Sequence, residues 1–451
     1  MSQAALAAST APATPRRTLV LLGALYAAQG LPFGFFSLAL PVLLREAGWS
    51  LTAISFMQYL ALPWGLKFLW SSWLDHTGSR RSWLLGLQGA AIVLALSLAL
   101  LDLHAASLAL FAGVFCFNLV AASQDVITDG LAVRLLDSRH RGLANGLQVG
   151  AYRLGMVLGG GLLLWVFARF GWGLMFAGMA ALLALSTLPV WAWLHGDAAR
   201  PSPVVGALAR GGAQGPLADE AVGLYHAPKP HDARDAHGHA LPALALGWWH
   251  RARSPGLLTF AALIVCCRLG EQLANSLITP MLIDLHLSKT DIALMKGTVG
   301  SASSLVGAAL GGWLCWRVGR RAAMLIGGLG QSVCMALYGL AATGLGGMPL
   351  LWGVTVLEGV VGTLATVALF TLMMDASDPD HAGTDYTLLA SVVVVVGSLG
   401  HLLGGWLGDR LGLATTFGMG ATLGALGCLA LVAWLDRHPT HERVAAAWRV
   451  S

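Results

Sequence analysis

The chain has 451 residues, of which 56% are hydrophobic and only 11% charged, and its mean hydropathy is +0.70. That composition excludes a soluble globular enzyme or binding module and puts the chain among integral membrane proteins. The formal net charge of +5 follows from basic residues gathered on one side of a membrane, so it implies no nucleic-acid partner.

The chain opens with the polar, small-residue stretch MSQAALAASTAPATPRR, read as a cytoplasmic tail over residues 1–17. The apolar run after it is too long, and too interrupted by Pro32 and Pro41, for a cleaved signal peptide. About 20 apolar residues make a transmembrane helix. Twelve such segments are expected, centred near residues 30, 61, 92, 118, 154, 183, 269, 301, 332, 362, 395 and 424. Long apolar runs rather than short alternating ones predict an all-α helical bundle, not a barrel. The even number places both termini on one side. With the N-terminus cytoplasmic, cytoplasmic loops and tails carry 19 of the 27 Lys and Arg residues and the opposite face five, which fixes the expected orientation.

Residues 18–195 form an expected N-terminal six-helix unit, 255–435 a C-terminal one, and 436–451 a second cytoplasmic tail. Residues 196–254, rich in Pro, Gly, Ala and His, read as a cytoplasmic connecting loop. Its end, LPALALGWWHRARSPG, is expected to form a short interfacial helix with Trp248 and Trp249 at the membrane surface and Arg251 and Arg253 toward headgroups. The histidines of this loop (His226, His231, His237, His239, His250) match no metal-ligand spacing, and no metal or cofactor is expected. The six cysteines fall in or beside apolar segments and are expected to be reduced, buried and structural.

An internal repeat underlies the two-unit reading. The stretch 73-WLDHTGSRR-81 is echoed by 313-WLCWRVGRR-321, with Trp-Leu and Arg-Arg at the same spacing. The first of these resembles the signature loop of the major facilitator superfamily, G-x-L-x-D-R-x-x-G-R-R, to which Asp75, Arg80 and Arg81 correspond. Ser71 or Ser72 stands where the leading Gly would fall, and His76 replaces the usual Arg. A narrower resemblance runs through KFLWSSWLD (67–75), SQDVITDGLAV (123–133), RGLANG (141–146) and YRLGMVLGGG (152–161). These segments look like the AmpG-type muropeptide permeases, a branch that also contains acetyl-CoA transporters and siderophore permeases. The TDGLAV wording and 382-AGTDYTLLAS-391 are closer to the siderophore permeases. The resemblance implies two six-helix bundles that rock about a central site in a bacterial-type inner membrane. It also implies import of a bulky polar solute, a siderophore or alternatively a muropeptide, driven by protons. A monomer is presumed.

Each charge inside a membrane helix needs a partner, a wet cavity or a function, because insertion at mid-helix costs roughly 2.5–3.5 kcal/mol. Asp125 and Asp129 share one face of the fourth helix with Gln124 beside them. They read either as a latch with Asp75, Arg80, Arg81, Arg134, Arg141, Arg320 and Arg321 at the cytoplasmic gate, or, for Asp125, as a proton site. Arg153, near mid-depth in the fifth helix, is suited to a solute carboxylate or phosphate, or to a pair with Asp125. Arg268 and Glu271 can pair along the seventh helix, where Gln272 and Asn275 extend a polar stripe. Glu358, alone in the tenth helix, is either a protonatable acid or a partner of Arg268 or Arg153. Gln29, Gln58 and His401 are lesser pathway candidates, helix-helix contact being the ordinary use of such residues. Lys67 reads as a snorkelling residue, and the glycine series Gly155, Gly159 and Gly400, Gly404, Gly408 as close packing. There is no G-x-x-x-x-G-K-[ST], H-E-x-x-H or G-x-S-x-G motif, so gradient-driven transport is favoured over an ATP-driven pump or an enzyme. A membrane-bound transferase and a non-transporting sensor are the rival classes.

Overall fold

The computed structural model describes residues 15–46, 60–101, 107–136, 138–194, 247–253, 255–288, 291–292, 294–437 and 448. Gln58, most of the connecting loop with four of its five histidines, and most of both tails lie outside these residues, as does the side chain of His250.

Helix α1 runs Pro15–Gly34, passes a π turn at Phe35–Ala39 and continues as Leu40–Glu46. Helix α2 comprises Leu62–Leu66 and Phe68–His76, interrupted at Lys67. Next come α3 (Arg80–Ala99) and α4 (Ser107–Leu135). Helix α5 is Ser138–Val157, a π turn at Leu158–Leu162 and Leu163–Phe170, and α6 is Trp172–Trp193. After a short linker helix, Gly247–Ala252, α7 comprises Pro255–Asn275 and Ile278–Asp284. Helix α8 is a π turn at Leu294–Val299 followed by Gly300–Arg317. Then follow α9 (Arg320–Ala342), α10 (Gly347–Ala376), α11 (Ala382–Leu411) and α12 (Leu413–Arg437). No strand occurs among the described residues.

Among the described residues, ten helical stretches are long and apolar enough to cross a membrane. The second and eighth expected positions are filled by helices outside that set, α2 and α8, which carry the repeated Trp-Leu motif at their ends.

The repeat is visible as repeated packing. Helix α1 packs on α5 as α7 packs on α11, and α3 packs on α6 as α9 packs on α12. The tight bends between α5 and α6 and between α11 and α12 are made by Gly171 (φ 83°) and Gly412 (φ 82°), a backbone that other residues rarely adopt. Gly155 and Gly159 lie directly on the backbone of α1 at Ala27 and Leu31. The small-residue spacing therefore serves helix approach, as expected.

The halves meet along a seam in which α2 and α4 touch α11 while α5 touches α8 and α10. Gly146 shows how tight it is: a Cβ there would lie 2.6 Å from the carbonyl oxygen of Ala308 on α8. Of the six cysteines, Cys267, Cys315, Cys334 and Cys428 are buried, whereas Cys116 and Cys266 are exposed; all are free.

Candidate transport pathway and seam locks

Four polar residues of α4, Gln124, Asp125, Thr128 and Asp129, repeat at helical spacing and are all buried. Facing them is Lys67, at the interruption of α2, whose Nζ donates to Asp125 Oδ2. Both side chains are nearly inaccessible, at 5% and 10% exposure, so Lys67 does not snorkel to an interface. It is the counter-ion of Asp125, and Arg153 is not. One turn along α4, Asp129 Oδ1 accepts from Tyr26 Oη at 2.8 Å and from Gln148 Nε2 at 3.2 Å. Asp129 therefore belongs to this inner cluster and not to the gate arginines. Gln29 Nε2 donates to Thr128 Oγ1 at 3.3 Å. Buried polar atoms normally find partners, yet Gln29 Oε1 and Gln148 Oε1 have none among the described residues.

Toward the ends of the helices two carboxylates lock the seam. Asp75, at the end of α2, pairs with Arg80 of α3 (3.3 Å) and Arg134 of α4 (3.1 Å). Its Oδ2 crosses to the other half, accepting the backbone N–H groups of Gly383 (3.0 Å) and Thr384 (3.2 Å) in the first turn of α11. Those N–H groups have no carbonyl within the helix, and the helix dipole adds to their attraction for an anion. Arg134 reaches further, donating to the Asp380 carbonyl at 3.2 Å.

The second lock mirrors the first. Asp375, at the end of α10, takes Arg320 of α9 (3.0 Å) and, across the seam, Arg141 of α5 (2.9 Å). Of the residues expected at the gate, Asp75, Arg80, Arg134, Arg141 and Arg320 are brought together in these two clusters. Arg81 instead donates to the Trp191 carbonyl at 3.3 Å, and Arg321 pairs with Asp436 at the exposed surface of its own half. Neither spans the seam. The linker helix joins the locked face: Arg251 binds Asp385 of α11 through Nε (2.8 Å) and Nη2 (2.5 Å), and Trp248 meets Phe68 of α2 edge-on at 5.0 Å. Arg251 is thus turned to the protein and not to headgroups, while Arg253 covers the Trp249 ring.

In the C-terminal half, Arg268 Nη1 and Glu271 Oε2 pair at 2.6 Å, as their spacing predicts. Glu358 accepts from Gln331 Nε2 of α9 at 3.5 Å. Among the described residues it forms no ion pair with Arg153 or Arg268. Gln272 packs against Gly400 of α11, and His401 is exposed, its Nδ1 donating to the Gly397 carbonyl at 2.7 Å.

Several partners escaped sequence reading: Lys67, Tyr26, Gln148, Asp375, Asp385 and Gln331. A signal existed for two of them, because the acidic run 375-DASDPDHAGTD-385 lies beside a face already crowded with arginines.

Comparison with known proteins gives the following. A family model described as Major Facilitator Superfamily matches residues 22–265 and 260–450. The Anhydromuropeptide permease of Escherichia coli (strain K12) is 27% identical over 412 residues, covering 89% of this chain and 76% of that protein. The crystal structure of the human organic anion transporter MFSD10 superposes with TM-score 0.66 at 15% identity, covering 93% of this chain and 100% of the other. A proton:xylose symporter superposes with TM-score 0.62 at 15% identity, covering 96% and 98%. At that identity the two structures bear on the fold alone.

Proposed function

The chain belongs to the Major Facilitator Superfamily, and from that premise we propose that this multi-pass membrane transporter imports an anhydromuropeptide together with protons across a bacterial inner membrane. The solute class follows the E. coli permease, to which the likeness extends over most of both chains. The siderophore reading, which rested on two short segments, has no such support.

The observation that carries the coupling is the buried Lys67–Asp125 pair with Asp129 one turn away. Two carboxylates on one helix face do not both remain ionised without a cation nearby. A solute carboxylate that takes Lys67 from Asp125 leaves the freed acid to be neutralised by a proton, so that solute and proton enter together. Gln29 Oε1 and Gln148 Oε1, buried and without a partner among the described residues, supply polar lining for this exchange. The locked face, rich in arginine, is the cytoplasmic one by the positive-inside rule. The conformation is then closed to the cytoplasm, and import requires both locks to open while the halves rock. Each charge moved down a 100 mV potential supplies about 2.3 kcal/mol.

Cells expressing the protein should take up a labelled anhydro-disaccharide peptide, and a protonophore should cut that uptake by on the order of tenfold, the ratio corresponding to about 1.4 kcal/mol. Uptake indifferent to the protonophore would remove the coupling. Entry of a ferric siderophore instead would replace the solute class.

A further inference from the structure

A small cavity of about 20 Å³ lies inside the C-terminal half, between α7, α9, α10 and α12, and is lined by Arg268, Glu271, Gln331 and Ser332 among apolar neighbours. Two of its polar side chains are more than nine-tenths buried, Gln331 at 3% and Arg268 at 7% exposure. Each has a polar atom without a partner among the described residues: Gln331 Oε1, an acceptor, and Arg268 Nε, a donor. Leaving such atoms unmet is costly, of order 1–3 kcal/mol for each buried group.

The chemistry of the lining selects the occupant. An anion would face the Glu271 carboxylate and the Gln331 carbonyl oxygen. A cation would face the Arg268 guanidinium, which is already paired with Glu271 at 2.6 Å. A neutral molecule that accepts one hydrogen bond and donates another satisfies both orphan atoms. The volume suits a single water, which needs roughly 10–15 Å³ of such space. The Ser332 hydroxyl, which donates to the Gly328 carbonyl at 3.1 Å, retains acceptor capacity for the same molecule.

Gln331 has a second role in this arrangement. Its Nε2 donates to Glu358 Oε1 at 3.5 Å. The amide is also confined by Gly362, where a Cβ would lie 2.8 Å from Gln331 Oε1. We propose that the cavity binds one water between Arg268 Nε and Gln331 Oε1, and that Gln331, fixed by it, is a positioning residue holding the Glu358 carboxylate in place on α10. The second half of the proposal rests on the coupled-transport reading above, whereas the water site does not.

Two experiments test it. A structure of the purified protein that resolves ordered solvent should show one water within hydrogen-bond reach of both atoms. A cavity without it, or one closed by a side chain, overturns the proposal. In proteoliposomes, Gln331→Leu should lower pH-driven accumulation of the anhydro-disaccharide peptide by about tenfold while solute-for-solute exchange stays within about twofold, the split expected when a step other than solute binding is lost. Gly362→Ala, which presses on the same amide, should show the same split in milder form, and Gln331→Asn should restore part of the accumulation. Equal loss of accumulation and exchange in both variants would make Gln331 merely structural, and wild-type behaviour in both would make it irrelevant; either result contradicts the positioning role. Should wild-type transport ignore the protonophore, the coupled reading fails by itself, and the water density still decides the site.

Discussion

Asp125→Asn is expected to abolish accumulation of solute and to destabilise the protein, because it leaves the Lys67 ammonium buried at 5% exposure without its anion. Breaking a buried pair from one side costs about 3–5 kcal/mol, whereas replacing both members with uncharged groups is often neutral. Lys67→Met alone should therefore be as damaging as Asp125→Asn. The double variant, Lys67→Met with Asp125→Asn, should recover thermal stability in detergent without recovering uptake. This pattern separates a functional pair from a structural one. A double variant that folds and still accumulates solute would remove Lys67 and Asp125 from the coupling. Single variants with unchanged melting temperatures would mean that the pair is open to water.

Asp75→Asn should have the second-largest effect, and on conformation more than on folding. In the closed arrangement Asp75 meets Arg80, Arg134 and two N–H groups at the start of α11. Only the α11 contacts and the ordering of Arg134 are lost on opening. A helix N-terminus is worth up to about 2 kcal/mol to a partly buried anion. The closed-to-open ratio should therefore fall by on the order of thirtyfold once the charge is removed. Spin labels on α5 and α8 at the locked face should report a longer distance population in Asp75→Asn. Arg141→Gln should do likewise, because it breaks the mirror lock on Asp375. Arg321→Gln serves as the control: its exposed pair with Asp436 lies within one half and should leave the distances unchanged. Unaltered distances in Asp75→Asn would show that the seam is held by packing at positions such as Gly146 and not by charge.

Much of the scaffold was legible because membrane helices announce themselves by length and apolarity, and because the repeated Trp-Leu and Arg-Arg spacing marks two related halves. The seam ion pairs of Asp75, Arg80, Arg134, Arg141 and Arg320 were legible as a cluster because charge at a helix end near a seam has few other uses. Partners were harder. Lys67 lies 58 residues from Asp125, and only the packing of α2 on α4 brings them together. Read alone, a lysine near a helix end looks like any snorkelling residue. Asp129 was placed in the gate because sequence spacing gives depth along a helix but not the identity of what faces it. Tyr26 and Gln148 supply that answer from α1 and α5. A polar residue in an apolar helix signals a cavity only when the helix turns it inward, which spacing alone does not give for His401 or Gln272.

The central claim is that solute and proton cross together through the Lys67–Asp125 centre. The most direct measurement places the purified protein in liposomes loaded with a pH-sensitive dye and follows labelled anhydro-disaccharide peptide and internal acidification in the same vesicles. Adding solute outside should bring both signals at a fixed ratio, and Asp125→Asn should lose the acidification together with uphill accumulation. Solute entry without acidification, or an unchanged ratio in Asp125→Asn, would contradict the central claim.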